Sequence, residues 1–209
     1  VGVWFLARGP AGPTEPIKVG FIGPLSGDAA TYGEPMHDAV ALAVQEINSS
    51  GGVKGRMIEV VYEDGKCAGK DAANAAQKLI NIDKVKIVIG GVCSGETLGA
   101  APIAEAAKVI LFSPGSGSPD ITNAGDYIFR NFPSDASSGK KMAEVAMEKN
   151  LKRVALLVET TDYAQAIKRV FTNRFTELRG EIVADESFTS QATDMRTQIT
   201  KIKSTRPDA

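Results

Sequence analysis

The stretch Ile17-Lys18-Val19-Gly20-Phe21-Ile22-Gly23-Pro24-Leu25-Ser26-Gly27 decides the fold of this chain. A short apolar run breaks into a glycine-bearing loop, and Tyr32-Gly33 then leads into a helical run over 34–50. Val40, Ala43, Val44 and Ile47 lie on one stripe of that run, at the spacing of about 3.6 residues that a helix buries. Gly51-Gly52-Val53-Lys54-Gly55 follows and supplies the glycines that end a helix. Strand, loop, helix and stop in this order are how a parallel α/β sheet opens at a ligand crevice.

The same alternation continues along the chain. Apolar, β-branched runs predict strands over 17–22, 58–62, 85–89, 109–112, 128–130, 154–158 and 182–188. Helical patterns fall between and after them, over 34–50, 70–82, 95–107, 136–149, 163–179 and 193–204. In the last of these Met195, Ile199 and Ile202 form a second stripe, expected to pack against a sheet. Strand then helix, repeated, gives parallel sheets with helices on both faces, an α/β fold. Pro133 interrupts Arg130-Asn131-Phe132-Pro133-Ser134-Asp135-Ala136, and Asp135 is placed to cap the helix after it, a position near the cleft being the alternative. The expected organisation is a leader over 1–16, a first lobe over 17–135 and a second lobe over 136–209. The second lobe reads as incomplete, because Ser204-Thr205-Arg206-Pro207-Asp208-Ala209 stands where the alternation demands another strand, and sheet edges left open in this way invite pairing between chains. The apolar Val1-Gly2-Val3-Trp4-Phe5-Leu6-Ala7, followed by Arg8-Gly9-Pro10-Ala11-Gly12-Pro13, reads as the end of a signal peptide or membrane anchor and a linker; a first strand is the alternative.

Composition limits the function. Of 209 residues 43% are hydrophobic and 23% charged, which is enough apolar content for one large or two small globular domains. A net charge of −1 gives no basic field, so nucleic acid is not an expected partner. No run reaches the roughly 20 apolar residues of a membrane span. Phosphate-loop, nucleophile-elbow and zinc-helix patterns are missing, and Gly20-Phe21-Ile22-Gly23 followed by Pro24 does not continue as a dinucleotide loop. His37 is the single histidine, which leaves no triad or histidine metal cluster, and it reads as a helix-surface residue. No cofactor and no catalysis are expected.

Three loops at the C-terminal ends of strands converge by topology: 23–32, 90–95 and 113–120. Ser94 lies where the second loop enters a helix. Free amides there favour a carboxylate or phosphate, and a plain N-cap serine is the alternative reading. Ser113-Pro114-Gly115-Ser116-Gly117-Ser118-Pro119-Asp120 lets a ligand approach the backbone and offers hydroxyls and carbonyls; an exposed glycine/serine turn is its alternative. Cys67 and Cys93 each follow a predicted strand and so share one end of the sheet. A bridge there would add roughly 3.5 kcal/mol and require an oxidising compartment, and two buried free thiols are the other possibility.

VGFIGPLSGDAATYG (19–33), AVQEINSSGGVKG (43–55) and VVYEDGKCAGKDA (60–72) resemble the start of the leucine/isoleucine/valine-binding proteins, type I periplasmic receptors of amino-acid ABC importers. The resemblance runs from Ile17 to the last residue. It implies two Rossmann-like lobes that close by a hinge over a small ligand, a longer C-terminal half, an ABC transporter permease as partner, and an extracytoplasmic location. It implies a disulfide between Cys67 and Cys93. It places the ligand's ammonium and carboxylate against Ser94, Gly115, Ser116 and Gly117, and its side chain between Tyr32 and Tyr163, each of which is otherwise a packing residue. Relatives often carry threonine where this chain has Gly117, which leaves the missing hydroxyl to Ser116 or Ser118. The expected function is capture of an amino acid or related amide or carboxylate for import. A sensor domain of a membrane receptor is the alternative, and a nucleotide-dependent α/β enzyme a more distant one.

Overall fold

A computed structural model describes residues 15–209. The leader expected over 1–16 therefore lies outside the described residues except for Glu15 and Pro16. Seven strands and six helices alternate: β1 Ile17–Gly23, α1 Ala30–Ser49, β2 Ile58–Asp64, α2 Gly69–Asn81, β3 Ile87–Gly90, α3 Ser94–Ala107, β4 Ile110–Ser113, β5 Ile128–Arg130, α4 Ala136–Glu148, β6 Arg153–Glu159, α5 Asp162–Glu177, β7 Glu181–Phe188 and α6 Arg196–Ser204. A short 3-10 turn, Pro119–Asn123, separates β4 from β5.

The first five strands form one parallel sheet in the order β2-β1-β3-β4-β5. The chain passes from β1 to one side and returns to the other with β3, so the sheet's switch point lies between β1 and β3, where an open α/β sheet binds its ligands. Strand alternation then sorts the side chains. Val88, Leu111 and Ile128 face the buried core with Ala72, Ala76 and Leu79 of α2 and Ala100, Ala101 and Ala104 of α3. Ile87, Ile110, Phe112 and Phe129 point the other way and stay exposed. Helix α1 covers that second face over β1 and β2, and its stripe Val40, Ala43, Val44 and Ile47 lines a shallow recess of about 320 Å³ with Ile58 and Ile89.

Strands β6 and β7 form a second parallel sheet, with Phe171 and Phe175 of α5 stacked over Val154 and Ala143. The end of the chain lies along β6: the Asp208 amide donates to the Arg153 carbonyl and the Ala155 amide donates to the Ala209 carbonyl. Across the units, Arg169 of α5 pairs with Asp120 in the 3-10 turn.

Three local expectations are corrected. Helix α1 begins at Ala30 rather than 34 and carries Pro35 inside it, past the first turn, where an amide would otherwise have donated to the Thr31 carbonyl. The α6 stripe does not reach a core: no residue of α6 is buried and Ile199 remains exposed. His37 is not a plain surface residue, since its ring lies 4.3 Å from that of Tyr62 and edge-on to Phe21.

Candidate functional site

The three loops gather at one end of the five-stranded sheet because its strands are parallel and each loop follows a C-terminal end. The first is tied down by Asp64 at the end of β2. Its carboxylate accepts the Leu25 amide at 2.9 Å, the Ser26 hydroxyl and the Lys66 amide at 3.0 Å. Burial opposes ionisation of this group, but those hydrogen bonds outweigh it and hold its pKa below the ordinary range.

The second loop turns sharply at Gly90, whose φ is +134° and where a Cβ would collide with the Ile22 carbonyl. Helix α3 then starts under a capping box. Cys93, not Ser94, is the N-cap; its sulfur accepts the Glu96 amide, and the Glu96 carboxylate accepts the Cys93 amide at 3.0 Å. The other oxygen of Glu96 accepts the Cys67 amide at 3.0 Å, so one fully buried carboxylate holds the main chain of both cysteines. Burial pushes the Glu96 carboxyl up, against the pull of the Cys93, Cys67 and Val92 amides. Cys67 and Cys93 are joined in a disulfide, with Cα atoms 5.2 Å apart, as the resemblance implied. The amides of Ser94 and Gly95 open α3 and have no carbonyl one turn earlier within the helix to accept them.

The third loop is anchored from below by buried hydroxyls. Ser113 donates to the Gly91 carbonyl at 2.7 Å and accepts the Ser116 amide at 3.1 Å. Ser116 shares a hydrogen bond of 2.8 Å with Thr97 and reaches the Gly91 carbonyl at 3.1 Å. Ser94 accepts the Ser118 amide at 3.1 Å, which locks the second loop to the third. The Ser118 hydroxyl accepts the Asp120 amide at 3.3 Å. Ser116 thus spends its hydroxyl on Thr97 and the Gly91 carbonyl, whereas the Ser118 hydroxyl accepts the Asp120 amide and among the described residues donates to no acceptor. Arg130 braces the loop from outside by donating to the Ser116 and Ser118 carbonyls.

The structure brings Ser94, Gly115, Ser116 and Gly117 into one wall and sets Tyr163, at the start of α5, against it. A Cβ on Gly117 would stand 3.3 Å from the Tyr163 ring. Tyr32 sits in the first turn of α1 with 68% of its surface exposed, and among the described residues no hydrogen bond or ring contact joins it to the others. Sequence reading missed Asp64, Glu96 and Thr97. It also gave Asp135 a capping role that its side chain does not play: the carboxylate accepts the Tyr163 hydroxyl at 3.0 Å and bonds no helix amide. Burial, and next the Asp135 acceptor, raise the Tyr163 phenol above its ordinary value. Among the described residues no group of three or more His, Cys, Asp or Glu is placed to hold a metal, and no helix is long and apolar enough to cross a membrane.

A parallel sheet with anchored polar loops over its switch point, faced by an aromatic from a second parallel unit, defines a two-unit α/β binding architecture. Comparison with known proteins gives the family: the chain matches the periplasmic binding protein family over residues 16–209 and belongs to it. The Leu/Ile/Val-binding protein of Escherichia coli is 30% identical over 191 residues, which cover 90% of this chain and 52% of the relative. The branched-chain amino acid transporter substrate binding protein LivJ of Streptococcus pneumoniae, solved in complex with isoleucine, is similar at 38% identity and a TM-score of 0.74, over 90% of this chain and 54% of that one. A solute binding protein of an ABC transporter from Rhodopseudomonas palustris, in complex with 3,4-dihydroxy benzoic acid, is similar at 30% identity and a TM-score of 0.75, over 92% and 52%. The chain spans about half the length of the curated relatives it matches.

Proposed function

We propose that this chain is part of an extracytoplasmic solute-binding protein that captures a small amino acid, or a related amide or carboxylate, and presents it to an ABC importer permease. The observation that carries this reading is the locked pair of loops over the switch point, with the opening amides of α3 beside them and Tyr163 opposite. Backbone dipoles of this kind hold the charged ends of a small ligand without a bond being made or broken. In this reading residues 17–135 form the first lobe and 136–209 contribute to the second, and closure around the ligand selects the form that the permease recognises. Ser94, Gly115 and Gly117 contact the ligand directly, Ser116 acts through its main chain, and Tyr32 and Tyr163 frame the side chain. The Cys67–Cys93 bridge supports an oxidising compartment. Titration calorimetry of the complete protein against amino acids, amides, and short and aromatic carboxylates tests the proposal. Saturable heat with at least one of them is expected, and silence across the whole panel would overturn it.

A further inference from the structure

The Cys67–Cys93 bridge is open to solvent at one end: Cys67 is exposed and Cys93 half-buried. Glu96, which ties their main chains together, is fully buried. Burying a carboxyl group is unfavourable unless its oxygens are used. Those of Glu96 accept the Cys67 amide and the Cys93 amide, each at 3.0 Å. The surroundings are shaped to this side chain. A Cβ on Gly65 would collide with Glu96 Oε1 and one on Gly91 with Glu96 Cβ, so glycines in two different loops leave the room that it fills.

The backbone at Cys67 shows what the carboxylate holds. Lys66 and Cys67 are both left-handed, with φ of +51° and +58°, a conformation that residues carrying a Cβ adopt at a cost. Two acids keep them in it: Asp64 accepts the Lys66 amide at 3.0 Å, and Glu96 accepts the Cys67 amide. Neither contact passes through sulfur. At the other end, Glu96 fixes Cys93 within the first turn of α3, a contact local to the helix that needs no bridge. The register of the two cysteines is therefore held by main-chain hydrogen bonds that do not require the bond between the sulfurs.

We infer that Glu96 is the positioning residue of a reversible thiol–disulfide couple: it keeps Cys67 and Cys93 in bonding register in the dithiol state, so that the exposed bridge recloses after reduction. With a disulfide oxidant such as oxidised glutathione, each thiol gives up a proton and one electron. The Cys67–Cys93 bond forms, the glutathione S–S bond breaks, and two reduced glutathione molecules leave. Without Glu96, oxidation itself has to bring Cys67 into the left-handed conformation, which lowers its equilibrium constant. The inference stands on the bridge and its surroundings and is independent of any ligand.

The test equilibrates the complete protein with glutathione redox buffers and counts free thiols by alkylation after acid quenching. Glu96→Ala removes both acceptors, Glu96→Gln keeps the shape and one acceptor, and Gly65→Ala displaces the carboxylate without altering it. Oxidation of the parent should be favoured over that of Glu96→Ala by about tenfold, or about 30 mV for a two-electron couple, and the other two variants should shift in the same direction. Unfolding curves of the oxidised and reduced forms supply a second readout. Each substitution should destabilise the reduced protein more than the oxidised one, and the surplus should match the change in equilibrium constant, because the four states close a cycle. A residue that only packs the core would lower both stabilities alike and leave the potential unchanged. An unchanged equilibrium constant in a folded Glu96→Ala or Glu96→Gln protein overturns the assignment, as does a shift that favours the disulfide. It also falls if the reduced parent does not hold its fold, or if all three variants fail to fold in both redox states, which would make Glu96 a core residue only.

Discussion

Asp64 shows how much one carboxylate does for the geometry of the loops at the C-terminal end of the first sheet. It ends β2, yet its acceptors fix Leu25 and Ser26 in the loop after β1 and Lys66 in the loop after itself. Because its pKa is lowered in the folded state, the stability it contributes is present above the unfolded value of about 3.9 and is lost as pH falls through the folded value. Asp64→Ala is expected to cost about 1–2 kcal/mol at neutral pH, the scale of hydrogen bonds to a charged acceptor at a half-buried position. Thermal unfolding followed from neutral pH to pH about 3 checks this. The parent should lose stability across the acid range, and the variant should lose less, because part of that acid-sensitive contribution is already gone. Parallel pH curves for the two proteins would show that Asp64 is not the group responsible.

At the scale of elements, the start of α3 joins two independent fastenings. The disulfide closes a segment with a separation of 26 residues, and Glu96 separately accepts the main-chain amides of both cysteines. Chain entropy predicts that replacing both cysteines with serine costs about 3.5 kcal/mol. Glu96 still holds the same two amides in that variant, so ligand affinity should change by less than about threefold, since the net value of hydrogen bonds that remain is retained. Adding Glu96→Ala should then loosen the loop and lower affinity further; denaturant unfolding and calorimetry on the three proteins distinguish the two roles. The sequence made much of this layout legible. Every strand and helix has a local signature, in β-branched runs, apolar stripes and terminal glycines, because those depend on neighbours a few residues away. The cysteine loops and the serine-rich loop were legible for the same reason. Glu96 was not: its partners lie 3 and 29 residues off in the chain, and only tertiary packing tells a buried bridge from a solvated helix glutamate. Asp135 was misread on equally physical grounds. Its position before α4 is that of a cap, and nothing local reports that Tyr163 draws the carboxylate away.

The whole molecule is lopsided in how it covers its first sheet. Helices α2 and α3 bury one face over β1, β3, β4 and β5, while α1 covers only β1 and β2 on the other, leaving Ile87 and Ile110 paired across β3 and β4, and Phe112 and Phe129 paired across β4 and β5. Phe112 is 37% exposed and Phe129 47%, values that belong to a contiguous apolar patch on adjoining strands rather than to scattered surface residues. Patches of this kind drive association when nothing covers them. The 209-residue chain on its own is therefore expected to bind an apolar dye such as ANS and to self-associate with rising concentration. Replacing Phe112 and Phe129 together with serine should reduce both, at little cost in stability, because neither ring belongs to the buried core cluster. Dye fluorescence and light scattering during size-exclusion chromatography measure the two effects, and unfolding curves confirm that the α2–α3 face is intact. Undiminished association in the folded double variant would assign it to the outer edge of β7 instead, the edge of the smaller sheet that the chain end does not pair, and undiminished dye binding would place the exposed apolar surface on that smaller unit, around Leu156 and Phe171.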